Sequence, residues 1–321
     1  MFRHIGRRGF LGAALASAAR ADTPPPGGEK IAAEEIRAGS SGFDRLDVRL
    51  DGAPDLSRRA WIFMPRDIDA RAEAQVLLLW HGLGETGNER AGVGAWAERY
   101  GLLTCFDRLA HPPVTASSKR GDLPDDRARE ISRQLEERPF AGRFIVVCPY
   151  TPNIWKLKSL TRGLDQLASW VAETLLPAVA ARMGRIVEPA QTAIDGCSLG
   201  GLVSFEPFVR RPELFAACGG VQAALNEAQV PALASRLQAA LSSAGRARGT
   251  AGDRRLHIET SRNDPFCASN LALSRELRRV GVAHDTSVLP GPHDQPWLRE
   301  AGTLEMLLWH DRALASAEDS Q

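Results

Sequence analysis

Short apolar runs alternate along this chain with segments of helical periodicity, and few folds are compatible with that alternation. The runs at 76–80 (VLLLW), 144–148 (FIVVC) and 215–221 (FAACGGV) contain no charged residue. Runs of this length and composition are typical of strands that are covered on both faces, as strands are in a parallel sheet. Strands that alternate with helices predict a mainly parallel, doubly wound α/β sheet with helices on both sides.

The order of the predicted elements gives this sheet one exception to parallel pairing. The strands predicted first, 45–50 and 60–65, have no helix between them, so the sequence predicts an antiparallel N-terminal edge. The other strands are predicted at 76–82, 144–150, 191–196, 215–221, 256–261 and 284–290. Helices are predicted at 94–109, 125–138, 164–183, 199–211, 227–241, 268–281 and 296–314.

The first residues of the chain predict an export signal. Arg7 and Arg8 form a twin-arginine pair, an apolar stretch follows, and Ala19-Arg20-Ala21 matches an A-x-A cleavage site. We therefore expect a Tat-type signal peptide that is cleaved after Ala21, with the Tat translocase as partner during export and a periplasmic or extracellular product. The predicted division of the chain is 1–21 signal peptide, 22–40 linker, 41–315 single domain and 316–321 C-terminal tail.

Charge, hydropathy and cysteine content exclude several classes of protein. The 321 residues carry a formal net charge of +1, which provides no basic surface for nucleic acid. No apolar run approaches the roughly 18 residues that a membrane span needs, so we expect no stable membrane anchor. The five cysteines have no zinc-site spacing, and the chain is too long for a disulfide scaffold. The sequence leaves open whether two of them form a disulfide.

The segment DGCSLGG (195–201) carries the strongest signal for chemistry. It places two candidate nucleophiles, Cys197 and Ser198, between glycines, where a predicted strand ends and a predicted helix begins. A G-x-S-x-G nucleophile elbow requires this context, and its glycines remove Cβ atoms that would collide in the tight turn. An elbow centred on the thiol would need small residues at positions 195 and 199, but these positions hold Asp195 and Leu199. Ser198 is therefore the predicted nucleophile, and Cys197 is predicted to be a packing residue.

A serine hydroxyl needs a base in reach, and the base needs a group that orients it. Asp264 follows the strand predicted at 256–261, and His293 follows the last predicted strand. Both lie where the carboxyl ends of parallel strands meet, which is where open α/β sheets place their sites. The chain order serine, aspartate, histidine is that of the α/β-hydrolases. The predicted triad is Ser198, Asp264 and His293.

Other acids and histidines fit these roles less well. Glu259 lies inside its predicted strand and Asp253 precedes it, while the side chain of Asp294 is expected to face away from the neighbouring imidazole. The remaining histidines considered lie within a strand, at the wrong strand end, in a Pro-rich loop or in the last helix: His257, His284, His111 and His310.

The tetrahedral intermediate of acyl transfer needs N–H donors for its oxyanion. The first is predicted to be the backbone N–H of Leu199, because this residue follows the nucleophile at a helix N-terminus. The second is expected from the loop WHGLGETGNERAG (80–92), and we assign it to Leu83. His81 in the same loop is predicted to shape the backbone without transferring a proton.

Three segments resemble the esterase family that contains esterase D (S-formylglutathione hydrolase), feruloyl esterases and mycolyltransferases. DGCSLGGLVSFEPFVRRPELFAACGGV resembles the elbow of that family, LLLWHGLGETG its oxyanion loop, and LPGPHDQPWLREA its histidine segment. Over residues 45–312 the resemblance implies an α/β-hydrolase fold, a triad at Ser198, Asp264 and His293, and no metal or organic cofactor. The insertion at 111–142 departs from the pattern of the family.

The sequence thus predicts a serine hydrolase that cleaves a small-molecule or carbohydrate-linked carboxylic ester through an acyl-enzyme. Peptide hydrolysis or acyl transfer by the same triad is one alternative, and a non-catalytic binding protein with this fold is another. Trp155 and Trp297 are candidate substrate-binding residues, because aromatic faces suit sugars and aromatic acyl groups. For both tryptophans, packing under a loop is the alternative. The acyl and alcohol specificity stays open.

Overall fold

The structure, a computed structural model, describes residues 42–50, 56–67, 74–244 and 254–315. The predicted signal peptide, linker and C-terminal tail lie outside the described residues. The strands are β1 Phe43–Arg49, β2 Arg59–Pro65, β3 Gln75–Trp80, β4 Phe144–Pro149, β5 Thr192–Gly196, β6 Ala217–Val221, β7 Arg255–Asn263 and β8 Asp285–Pro292.

Helices connect most of these strands. The α-helices are α1 Glu89–Glu98, α2 Leu102–Ala110, α3 Asp125–Glu137, α4 Leu160–Trp170, α5 Leu176–Met183, α6 Leu199–Arg210, α7 Val230–Ala244, α8 Cys267–Arg279, α9 Gln295–Trp297 and α10 Thr303–Leu314. Short 3-10 turns lie at Leu83–Glu85, Ile154–Lys156, Pro189–Gln191, Pro212–Leu214 and Glu227–Gln229, and π-helical turns at Val171–Leu175 and Leu298–Gly302. No helix among the described residues has the length and apolar character to cross a membrane.

The described strands form one sheet of eight, in the order β1-β2-β4-β3-β5-β6-β7-β8. β2 pairs antiparallel with both β1 and β4, and all other neighbours pair in parallel. The predicted antiparallel N-terminal edge on a mainly parallel sheet is therefore confirmed. The absence of a crossover helix between β1 and β2 is its cause, since only a crossover returns the chain in the same direction.

The sheet separates two apolar cores, and β3 contributes to both. Val76, Leu78 and Trp80 pack against helices α4 to α8, while Leu77 and Leu79 pack against α1, α2, α3 and α10. Successive side chains of a strand point to opposite faces, so a strand that is apolar throughout can fill two cores at once. Burying each of these large side chains contributes roughly 1.5–3 kcal/mol to stability.

Three predicted helices are interrupted in the structure. The helix predicted at 94–109 is two helices, α1 and α2, because Gly101 between them adopts φ = 77°. The helix predicted at 164–183 contains the π-turn Val171–Leu175, which directly precedes a segment with Pro177 near its start. Proline has no N–H to continue the regular hydrogen-bond ladder. A second π-turn likewise divides the last predicted helix into α9 and α10.

Candidate active site

Ser198 occupies a sharp turn between β5 and α6. Its backbone has φ = 56° and ψ = −118°, a conformation that residues other than glycine rarely adopt. The turn is held on both sides, because the Ser198 N–H donates to Val221 O at 2.9 Å and the Ala224 N–H donates to Ser198 O at 2.9 Å. The strained serine therefore lies at the carboxyl end of β5, between the sheet and the first turn of α6.

The flanking glycines are sterically required. A Cβ at Gly200 would lie 2.1 Å from the carbonyl oxygen of Trp80, and a Cβ at Gly196 would lie 2.4 Å from the carbonyl oxygen of Gly200. Both contacts are with backbone, so no side-chain rotation could relieve them. Cys197 packs into the core on the α1–α3 side of the sheet and is 2 % exposed.

The structure brings Ser198, His293 and Asp264 into one hydrogen-bonded chain. His293 Nδ1 lies 2.9 Å from Asp264 Oδ1, and His293 Nε2 lies 3.0 Å from Ser198 Oγ. A carboxylate can only accept, so Nδ1 carries the proton and Nε2 is free to accept from the serine hydroxyl. All three residues are buried, with relative exposures of 6 %, 4 % and 5 % in the order named.

Asp264 is fixed by neighbours close to it in the chain. Its Oδ1 also accepts the Phe266 N–H at 2.9 Å, and its Oδ2 accepts the Thr260 hydroxyl at 2.7 Å. The ring of Phe266 meets the imidazole of His293 edge-on, with centroids 5.4 Å apart. These contacts hold the Asp264 carboxylate and the His293 imidazole each in one orientation, as a histidine base and its orienting carboxylate require.

The loop after β3 reaches the serine through Gly82. A Cβ at Gly82 would lie 3.6 Å from Ser198 Cβ and 3.3 Å from the Tyr100 hydroxyl. The imidazole of His81 fixes the loop, because Nδ1 donates to Gly82 O and Nε2 accepts the Thr151 N–H, both at 2.8 Å. Burial lowers the pKa of His81 to about 4, so the ring is neutral.

The two residues predicted to hold the oxyanion each begin a helical turn. Leu199 is the first residue of α6 and Leu83 the first of the 3-10 turn Leu83–Glu85, and the first N–H groups of a helix have no intrahelical acceptor. Below this turn, buried Glu85 accepts hydrogen bonds from the Tyr100 hydroxyl at 2.5 Å and from Arg99 at 3.1 Å. Tyr100 and Glu85 thus brace the loop that carries Leu83.

A small cavity opens above the serine. Its walls include Gly82, Tyr100, Ser198, Gln222, His293 and Asp294. Neither predicted substrate-binding tryptophan lines it. Trp297 is fully buried and donates from Nε1 to Pro290 O at 2.8 Å, directly under the His293 loop. Trp155 is half-buried and packs on Phe266 and Ala224, which places it one residue layer behind His293.

The insertion at 111–142 adjoins the site. Arg120 binds both carboxylate oxygens of Asp294, at 3.0 and 2.9 Å, and Asp294 caps α9 next to His293. Farther out, Arg127 of α3 pairs with Glu305 of α10. The insertion therefore contacts the histidine loop through Asp294.

A second aspartate–histidine group lies beneath the elbow. Asp195 Oδ2 accepts from His257 Nε2 at 2.6 Å and from His310 Nε2 at 2.8 Å, and its Oδ1 accepts the Gly196 N–H at 2.6 Å. Burial alone would raise the pKa of Asp195, but the two imidazoles outweigh it and lower the pKa to about 2. Ligand atoms of these three residues lie within 4.8 Å of one another, close enough to be considered for a metal ion.

The chemistry of this group favours hydrogen bonding over metal ligation. A metal on His310 Nε2 would require the proton on Nδ1, and Nδ1 has no hydrogen-bond partner among the described residues. Histidines that bind metals almost always donate their second N–H. In the hydrogen-bonded arrangement, Nδ1 carries no proton and needs no acceptor.

Solved structures of other proteins share this architecture. No family model and no curated protein matches the chain. A ferulic acid esterase of known structure is 17 % identical, covering 85 % of this chain and 99 % of its own, with a TM-score of 0.54. The Staphylococcus aureus fluorophosphonate-binding serine hydrolase FphF is 14 % identical, covering 84 % and 99 %, with a TM-score of 0.53.

The S-formylglutathione hydrolase FrmB from Staphylococcus aureus is also similar, at 14 % identity, 84 % of this chain, 98 % of its own and a TM-score of 0.51. The chain has an α/β-hydrolase fold. The resemblance to this group of esterases that the sequence predicts is therefore confirmed at the level of fold, which is as far as identities this low extend.

Within the α/β-hydrolase fold, sequence reasoning missed two sets of residues at the site. Gln222 lines the cavity and adopts φ = 47°, yet nothing in its local pattern marks it beyond its place directly after β6. The Asp195, His257 and His310 group was also missed, since each histidine was considered only as a base for Ser198. A polar residue inside an apolar strand was the signal available for Asp195 and His257.

Proposed function

We propose that this chain is a serine hydrolase that cleaves carboxylic esters, with Ser198, His293 and Asp264 as its catalytic triad. The observation that carries the proposal is the hydrogen-bonded chain from Ser198 Oγ through His293 to Asp264, at 3.0 and 2.9 Å, ending on a serine with φ = 56°. The ferulic acid esterase and S-formylglutathione hydrolase folds support an ester as the substrate.

The geometry suits a two-step mechanism. Ser198 Oγ attacks the ester carbonyl while its proton passes to His293 Nε2, and Asp264 stabilises the resulting imidazolium. The N–H groups of Leu199 and Leu83 hold the oxyanion. His293 returns the proton to the leaving alcohol, and the acyl group stays on Ser198. Water, deprotonated by His293, then releases the acid and restores the serine. No step in this scheme needs a metal or an organic cofactor.

The decisive experiment combines ester hydrolysis with active-site labelling. Wild type should hydrolyse a short-chain p-nitrophenyl ester and react with a fluorophosphonate probe, and Ser198→Ala should lose the label and about 10⁴-fold or more of kcat. Cys197→Ala is the matched control for the neighbouring nucleophile and should keep the label on Ser198. Equal activity of wild type and Ser198→Ala would refute the assignment.

The label, together with peptide substrates and an acceptor sugar, separates the alternatives from ester hydrolysis. A non-catalytic binding protein would leave Ser198 unlabelled. A peptidase would release product from peptides, and an acyltransferase would pass the acyl group to an added acceptor sugar in place of water.

We also propose that the protein is exported by the Tat translocase and acts in the periplasm or outside the cell. Support comes from Arg7-Arg8 and the Ala19-Arg20-Ala21 site. Replacing both arginines by lysine should retain the full-length chain in the cytoplasm, as judged by immunoblots of cell fractions. Unchanged fractionation would contradict the proposal.

A further inference from the structure

Gln222 is held in a conformation that needs an explanation. It follows β6 directly, is 2 % exposed and has φ = 47°. An L-residue other than glycine persists in this region only where its surroundings hold it there, and such positions cluster at functional sites. Among the described residues other than glycine, only Ser198 and Gln222 have positive φ, and both line the same cavity.

The side chain of Gln222 is anchored through its nitrogen. Nε2 donates to Ser261 Oγ at 2.6 Å and to Pro292 O at 3.1 Å. A carbonyl oxygen only accepts, so the nitrogen and not the oxygen of the carboxamide must face Pro292. The backbone N–H of Gln222 donates to Glu259 O at 2.6 Å. Two hydrogen bonds thus fix which way the carboxamide points, and a third holds the backbone.

The remaining polar atom of this side chain is the carboxamide oxygen. Across the part of the chain that the structure describes, Oε1 has no hydrogen-bond partner, while Gln222 lines the cavity together with Ser198 and His293. An acceptor that no donor of the protein satisfies, on a residue that lines a cavity, can take a hydrogen bond from a bound ligand. Oε1 is therefore a preorganised acceptor at the wall of the cavity.

We propose that Gln222 Oε1 accepts a hydrogen bond from a hydroxyl group of the substrate, and that the preferred substrates are esters with a free hydroxyl close to the scissile carbonyl. The inference rests on the proposed function, since it takes ester hydrolysis at Ser198 as given. It adds a specificity-determining residue that contacts substrate, and it explains why the backbone is strained at this position.

Four ethyl and hydroxyethyl esters test the proposal by acid release in a pH-stat. Ethyl butyrate has no hydroxyl, ethyl 2-hydroxybutyrate and ethyl 3-hydroxybutyrate carry it on the acyl side, and 2-hydroxyethyl butyrate carries it on the alcohol side. Each kcat/KM is divided by the rate of hydrolysis in hydroxide, which removes intrinsic reactivity. At least one hydroxy ester should exceed ethyl butyrate by about 10-fold, the discrimination of one good hydrogen bond in a buried site.

Three variants assign that preference to Oε1. Gln222→Met removes the acceptor at similar side-chain length, and Gln222→Gly removes it while allowing φ = 47° without strain. Both should bring the hydroxy-to-ethyl butyrate ratio close to 1. Ser261→Ala removes one anchor but leaves Oε1 and the bond to Pro292, so most of the preference should survive.

The outcomes are distinguishable from failure of the proposed function. Equal normalised rates on all four esters, or a preference that persists in both Gln222 variants, overturns this inference and leaves ester hydrolysis by Ser198 standing. No hydrolysis and no fluorophosphonate label on wild type overturns the proposed function and this inference with it.

Discussion

Replacing Asp195 by asparagine tests whether the carboxylate beneath the elbow stabilises the fold. Asp195 is fully buried in β5, next to Gly196, and joins three elements. Its partners are His257 in β7 and His310 in α10. β5 and β7 lead to the segments that carry Ser198 and Asp264, and α10 follows the segment that carries His293, so this carboxylate joins elements next to all three residues.

The magnitude follows from the structure by two routes. The carboxylate accepts three buried hydrogen bonds at 2.6, 2.8 and 2.6 Å. In asparagine an NH₂ group replaces one of the two carboxylate oxygens, so at least one of these donors would face another donor. Losing that hydrogen bond costs about 1–3 kcal/mol of stability. Independently, the pKa of Asp195 is lowered from 3.8 to about 2, and a shift of that size corresponds to about 2 kcal/mol of stability. Both routes give a loss of about 2 kcal/mol for Asp195→Asn at neutral pH.

The pH dependence has a definite sign. Because the pKa of Asp195 is lower in the folded state, its contribution is complete above about pH 4 and is lost as the pH falls towards 2. Urea unfolding should therefore show a difference between wild type and Asp195→Asn that shrinks as the pH falls from about 4 towards 2; between pH 7 and 5 the difference also includes His310, whose pKa Asp195 raises. Asp165→Asn is the control, since Asp165 pairs with Arg210 at 60 % exposure and should cost less than about 1 kcal/mol. A loss for Asp195→Asn no larger than that of the control, or one that grows as the pH falls from 4 to 2, would refute the reasoning.

Three further predictions concern other positions. Burial lowers the pKa of His81 to about 4, so between pH 6.5 and 4 only the unfolded chain takes up a proton at this residue. The free energy of unfolding of the wild type should therefore fall by about 3 kcal/mol over this range. Urea titrations of His81→Gln should lack this component. Gly200→Ala should lose about 3 kcal/mol or more by thermal or urea unfolding, since its Cβ would lie 2.1 Å from Trp80 O, whereas Gly87→Ala, with no atom within 4 Å, should be nearly neutral. In thiol titration with a disulfide reagent, native protein should react at Cys267 alone, because the other four cysteines are buried and burial raises the pKa of Cys105 to about 12; a second fast thiol would contradict this.

The elements that the sequence predicted well are those governed by local pattern. β3 and β4 are apolar throughout because both of their faces are covered, and that requirement is visible within a few residues. The break at Gly101 was missed because apolar periodicity continues across it. Gly101 also packs closely on Arg299, far away in sequence, where a Cβ would lie 3.0 Å from the Arg299 Cα, and local periodicity cannot reveal such a contact.

The proximity of the site residues was predictable for a topological reason. Parallel strands bring their carboxyl ends to one edge, so Ser198 after β5, Asp264 after β7 and His293 after β8 had to lie near one another. The catalytic roles of these residues, and those of Leu83 and Leu199, stay predictions. What pattern could not supply was the side-chain orientation of Gln222, which depends on Ser261 and on the carbonyl of Pro292.

The hydrogen bond between Asp195 and His257 joins two residues that a local sequence pattern does not connect. These two residues are 62 positions apart and lie on strands that are not neighbours, because β6 runs between them. They meet only because β6 places Gly219 opposite His257, and a Cβ at Gly219 would lie 2.1 Å from both Asp195 Oδ2 and His257 Nε2. A polar residue in a strand that is covered on both faces must find a buried partner. An aspartate in β5, a glycine in β6 and a histidine in β7 together satisfy that requirement, so a charge inside a predicted core strand is reason to search the next strands for a gap and a donor.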